Sequence, residues 1–210
     1  MTSFAARERQ ALVDALLAAG PQAPTLCEGW TAHDLAAHLV VRERRPDASP
    51  GLILPLFAGH TERVRRSYLK RPFEELVELV RTGPPRLSAF ALPGVDARTN
   101  LGEHFVHCED VRRAAPTWQA RDLPNDLQEA LWGVLGGMAR IALRRSKDPV
   151  RLVRPDGAEI SWGPAGQPVR LHGEPAELLL HAYNRTAVAQ VRIEGDDAAV
   201  ARFRALKMGL

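Results

Sequence analysis

Apolar positions recur at helical spacing through the first two-thirds of the chain, then give way to short alternating runs. Over 3–19, Leu12, Ala15, Leu16 and Ala19 form one stripe, and Gly20-Pro21 ends it. The loop Pro24-Thr25-Leu26-Cys27-Glu28-Gly29-Trp30 leads to Thr31, a good N-cap with Asp34 at capping-box spacing. A second helix then carries Leu35, His38 and Leu39 toward residue 45, and Pro46-Asp47-Ala48-Ser49-Pro50-Gly51 reads as a loop. Helical periodicity returns over 59–70 and 73–81, until Gly83-Pro84-Pro85 breaks it. Two more helices are expected, over 99–114 and from Pro124-Asn125-Asp126 toward Arg144 with Leu127, Leu131, Val134, Leu135 and Met138. Helices of this length with mostly short connections predict an antiparallel bundle.

The period changes near Asp148. Val150-Arg151-Leu152-Val153 and Glu159-Ile160-Ser161-Trp162 flank the turn Pro155-Asp156-Gly157 and read as strands, with 168–172 as a third. A helix over 175–185, a strand over 190–193 and a helix from Asp197 complete the pattern. The expectation is a mainly α chain: a helical bundle over 1–147, then a small α+β unit over 148–210.

Composition narrows the function. The chain is 45% hydrophobic and 25% charged, as expected of a soluble protein. No uncharged stretch approaches the roughly 18 residues that a membrane span needs. Residues 1–9 carry charges where a signal peptide would need an apolar run. Two cysteines, Cys27 and Cys108, make no disulfide framework, so the cytoplasm is the expected compartment. Net charge is only +3. The local basic runs Arg42-Glu43-Arg44-Arg45 and Arg144-Arg145-Ser146-Lys147 fall near helix C-termini, where cations complement the dipole. Arg63-Val64-Arg65-Arg66 reads as a solvated face. No aromatic platform accompanies these runs, so neither nucleic acid nor membrane is an expected partner.

The chemistry concentrates in three residues. Glu103 and His107 are four apart on one helix, about 40° apart around its axis, so both can reach one ion without bending the backbone. With His38 from the second helix they supply two nitrogens and one carboxylate, the ligand set of an open zinc-type site. Taken singly, each has a plainer explanation. His38 could be a hydrogen-bonded core histidine, and Glu103 with His107 a helix-surface pair. Val106, however, falls within their polar sector, which implies partial burial. A buried carboxylate there needs a cation, either a metal or an arginine from another helix. Asp110, three residues after His107, could be a fourth ligand or the acceptor that holds an imidazole tautomer; the latter is preferred. His104 points about 100° away from Glu103 and cannot easily share the site. Cys27 could be a free thiol near the site, but a structural loop cysteine is the expectation, and His60, His172 and His181 need no function.

Two motifs carry a resemblance. Gly29-Trp30-Thr31-Ala32-His33-Asp34-Leu35-Ala36-Ala37-His38-Leu39 resembles the first metal motif of the DinB/YfiT-like superfamily, and in particular of its mycothiol-dependent maleylpyruvate isomerase branch. Glu103-His104-Phe105-Val106-His107-Cys108-Glu109-Asp110-Val111-Arg112 is similar to that branch's second motif, and the family's metal triad maps onto His38, Glu103 and His107. The segment from Leu171 to Leu180, with Asn184-Arg185, resembles the small α+β domain that follows the bundle.

The resemblance implies a DinB-like four-helix bundle holding a divalent metal, zinc by ligand type, and use of a low-molecular-weight thiol such as mycothiol. In an isomerase of this kind the thiol adds to a conjugated double bond, permits rotation and leaves; in an S-transferase it stays on a small electrophile. An arginine of the small domain contributes to activity in the isomerases, which points to Arg185, although Asn184 replaces the glycine expected before it. The alternative is a non-catalytic metal-binding module or ligand sensor of the same superfamily. Hydrolysis is a third reading, weakened because Glu103 as a ligand leaves no obvious general base.

Overall fold

Ser3 accepts a hydrogen bond from the Ala6 N–H and starts α1 (Phe4–Ala19), which closes where the Gly20 N–H donates to the Leu16 carbonyl. α2 (Ala32–Arg44) begins with a complete capping box. Thr31 Oγ1 accepts from the Asp34 N–H, and the Asp34 carboxylate accepts from the Thr31 N–H. Two 3₁₀ turns, Ser49–Leu52 and Pro55–Phe57, lead to α3 (Ala58–Tyr68), followed by α4 (Phe73–Thr82) and α5 (Leu101–Arg112). This computed structural model describes residues 3–52, 54–85 and 99–206.

Four of these helices enclose one core. Leu12, Val13 and Leu16 from α1 meet Leu35 and Leu39 from α2, Phe73, Leu76 and Val80 from α4, and Cys108 and Val111 from α5. Each buried leucine contributes about 2 kcal/mol through apolar area removed from water. α1 packs most extensively on α5, and α4 packs on both α1 and α2. This is the mainly α bundle that the periodicity implied.

Packing divides the chain into units Met1–Arg121 and Asp122–Leu210. The change in packing thus falls earlier than the change in periodicity at 147/148. The reason is α6 (Asn125–Ala142), whose main packing partners lie later in the chain. It packs against α7 (Pro175–Ala182) and touches β2 (Glu159–Trp162), and the Gln128 side chain accepts from the Ala176 N–H.

The second unit is built on a four-stranded sheet in the order β2, β1 (Val150–Val153), β3 (Val169–His172), β4 (Arg192–Glu194). β1 pairs antiparallel with β2 and parallel with β3, and β3 pairs antiparallel with β4. Val150 and Leu152, and beside them Val169 and Leu171, are buried, as the alternation required. α8 (Asp197–Arg204), capped by Asp196, closes the unit.

Two expected boundaries shift. The helix of 175–185 ends at Ala182, because the Arg185 N–H donates to the Leu180 carbonyl and the Asn184 N–H to that of His181. That pair of bonds is a Schellman cap, and Asn184 holds its left-handed position at φ +66°. The resemblance led to a glycine being expected at this position, and the asparagine present adopts the left-handed conformation that glycine favours. The last strand begins at Arg192 rather than 190, since the Gln190 N–H is held by the Glu177 carboxylate.

Candidate metal centre

The bundle brings His38, Glu103 and His107 together, one ligand atom from each lying within 4.8 Å of the others. α2 supplies His38 from its middle, and α5 supplies the other two from successive turns. His107 Nε2 stands 3.4 Å from Glu103 Oε2, and the His38 and His107 rings meet edge to face with centroids 5.4 Å apart. Donor atoms about 3.4 Å apart are what a tetrahedral ion with bonds near 2.1 Å requires. His38 Nδ1 is buried with no hydrogen-bond partner among the described residues. A histidine ring with an unpartnered buried nitrogen, set beside a carboxylate and a second imidazole, is a donor set that fits a divalent cation.

The surroundings orient these groups. His107 Nδ1 donates to Asp110 Oδ2 at 2.9 Å, which leaves Nε2 directed at Glu103. Asp110 thus takes the tautomer-holding position preferred for it, and it is fully buried. The same carboxylate oxygen accepts from the Cys27 thiol at 3.3 Å. Cys27 was expected to be a structural loop cysteine; its thiol instead belongs to this site. The loop is brought there by the Leu26 N–H, which donates to the Asp110 backbone carbonyl at 3.0 Å. Cys27, His107 and Asp110 form a second close donor group on the other nitrogen of the same imidazole.

Charge in the site is strongly ordered. Burial acts to raise the Glu103 carboxyl, but the hydrogen bond from His107 and the charge of Arg42 outweigh it and hold the group at about 2. Burial also disfavours charge on His107, yet its hydrogen bonds to Asp110, Cys27 and Glu103 lift it well above the ordinary histidine range. Burial, reinforced by repulsion from His107, pushes His38 down to about 3. Without a metal the cluster therefore holds a protonated His107 between two carboxylates and a neutral His38.

Two contributors were not named in the sequence reading, although an arginine from another helix was left open as the partner of Glu103. Arg42, one turn after His38, is buried, with Nε 3.5 Å from Glu103 Oε2 and Nη1 donating to Asn100 at 2.9 Å. It lies in the last turn of α2, as expected of a cation that complements the helix dipole, and in addition it faces Glu103. Its position at i+4 from His38 was the available signal. Trp30 places its ring 5.1 Å from that of His38 and is itself covered by the Arg65 guanidinium, which also pairs with Asp34 at 2.6 Å. The run around Arg65 is therefore not uniformly solvated. Arg185 lies in the second unit, where its Nη1 donates to the Tyr183 carbonyl at 2.6 Å.

The other histidine of α5 behaves as expected. His104 faces away from the cluster, with Nδ1 on the Ala5 carbonyl at 3.2 Å and Nε2 on Glu43 at 2.9 Å.

A mainly α bundle of this kind, followed by a small α+β unit, is the DinB-like fold. Residues 4–45, which include His38, match the family model of the mycothiol maleylpyruvate isomerase N-terminal domain. Two solved structures share the fold: a mycothiol-dependent maleylpyruvate isomerase, at TM-score 0.53, and a histidine-to-alanine mutant of such an isomerase, at 0.58. Each is 14% identical, over 92% of this chain and 96% of the other. No curated protein matches this chain in sequence. The resemblance carried by the two motifs is thus upheld, by the match over the first and by the fold of the whole.

Proposed function

We propose that this chain is a metal-dependent enzyme that uses a low-molecular-weight thiol, mycothiol by analogy with its structural neighbours, to isomerise or S-modify a small electrophile. The observation that carries the reading is the convergence of His38, Glu103 and His107 from two helices, with the His38 nitrogen unpartnered. These three would hold the ion, and zinc suits two imidazoles and a carboxylate. A divalent ion in such an open site lowers the pKa of a thiol presented to it and so supplies a thiolate near neutral pH.

The chain's own groups do the rest. Asp110 keeps the Nδ1 proton on His107 and fixes the ring. Arg42 offsets the Glu103 charge from the helix side. Trp30 covers His38 and limits water on that flank. Arg185, in the second unit, is proposed to contribute to activity, as an arginine of the small domain does in the isomerases that the motif resembles.

The contact of Arg42 with Glu103 favours one alternative, because a carboxylate already facing a guanidinium can persist without metal. That reading is a ligand sensor or binding module. Elemental analysis of the purified protein, beside thiol-dependent turnover of maleylpyruvate with mycothiol, separates the two. The enzyme reading expects about one divalent ion per chain, lost in His107→Ala, and turnover abolished in His38→Ala. Turnover unchanged in His38→Ala removes the triad from the chemistry, and metal-free wild type leaves the binding module.

A further inference from the structure

The second unit contains a cavity of about 490 Å³ that the metal chemistry does not use. Its size falls in the range of small-molecule sites. His181 and Phe203 are buried and form its interior together with half-buried Ile193, whereas Asn184, Thr186 and Arg204 are exposed residues lining its open side. An apolar interior under a polar margin suits a ligand with an apolar body and one polar end.

His181 decides what that end is. Its Nδ1 is sealed from solvent with no partner among the described residues, and its ring stacks on Phe203 with centroids 6.0 Å apart and planes 7° apart. A buried bare lone pair is tolerated better than a buried N–H without an acceptor. The neutral ring therefore keeps its proton on Nε2, the nitrogen that is not sealed. Burial pushes this imidazole down to about 4, so the ring is neutral near pH 7 and offers one donor. The amide of Asn184, the hydroxyl of Thr186 and the guanidinium of Arg204 add further donors, and no carboxylate side chain is among the described residues that line the cavity. A donor-rich margin with one guanidinium matches an anionic acceptor.

We propose that this cavity is a binding site for a small carboxylate with an apolar, aromatic or branched body, separate from the metal centre. The carboxylate meets Arg204 and the His181 Nε2–H, and the body lies against Phe203 and Ile193. The site goes beyond the thiol-dependent reading and does not rest on it.

Calorimetric titration of the full chain with 4-phenylbutyrate, beside its primary amide, tests the proposal. Saturable binding of the acid is expected, with the amide and the Arg204→Gln variant each about tenfold weaker, the size of one lost charge-assisted hydrogen bond. Arg204 is exposed, so that variant does not endanger the fold. Binding must also persist in His107→Ala, and its loss there would move the ligand to the bundle and overturn the assignment. Equal affinity for acid and amide, unchanged affinity in Arg204→Gln, or no saturable binding would each overturn it as well.

Discussion

His104 and His107 lie three residues apart on α5 and are both buried, yet they differ in what is left for their nitrogens to do. Both nitrogens of His104 are engaged by the fold, one by a backbone carbonyl and one by Glu43, which Arg9 also holds at 2.6 Å. His107 spends one nitrogen on Asp110 and turns the other toward Glu103 and His38. The first arrangement is closed: every charge has a fixed opposite inside the protein. The second is open, because it leaves a ring nitrogen of His38 orphaned and stacks the charges of several residues around one point. Burial alone therefore does not mark a functional histidine. What marks it is polar capacity left over after the fold has been satisfied.

Breaking the closed arrangement should have the largest effect. Glu43→Leu strands Arg9 and His104 in the core and should cost about 3–5 kcal/mol in urea denaturation. A loss under about 1 kcal/mol would show that the pairing carries no stability. A third buried histidine, His181, has no acid beside it and calibrates burial by itself. Its imidazole is pushed down to about 4, whereas in the unfolded chain it titrates near 6.5. The unfolded state therefore takes up the proton first, and stability present above pH 6.5 falls as pH drops toward 4, by about 1.4 kcal/mol per unit. A His181→Leu variant should show a flatter pH series across that window; an identical slope would assign the loss to other groups.

Within the open arrangement the effects are smaller and of a different kind. Asp110→Asn removes the charge that holds His107 and should weaken metal affinity about 10- to 100-fold while the fold persists, as read by competition with a chromogenic chelator. His38→Leu should abolish metal retention yet change the stability of chelator-treated protein by less than about 1.5 kcal/mol, since it removes an unpartnered nitrogen. A large loss there would mean that His38 is a structural residue after all.

Local pattern made much of this legible. The Glu103 and His107 spacing, the Thr31 and Asp34 cap, and the alternation at Val150 and Leu152 are short-range facts, and the structure reproduces each. Long-range pairings were hidden. Nothing near Glu43 announces Arg9 or His104, which lie 34 and 61 residues away. Cys27 reaches Asp110 across 83 residues through a backbone bond formed by its neighbour. The partners of α6 were hidden for the same reason: its stripe shows that it is amphipathic, but not which surface it covers. The left-handed turn at 184 was not foreseen; asparagine reaches that conformation by its own tolerance.

The loop from Pro24 to Trp30 has a consequence for how this scaffold can be altered. Both helices that carry His38, Glu103 and His107 are anchored by the core, whereas the thiol of Cys27 stands on the connector between α1 and α2, which reaches α5 through the Leu26 amide. Cys27 can therefore be replaced while His38, Glu103 and His107 stay in place. The thiol and the three candidate ligands are carried by separate segments, so one can drift while the other is kept.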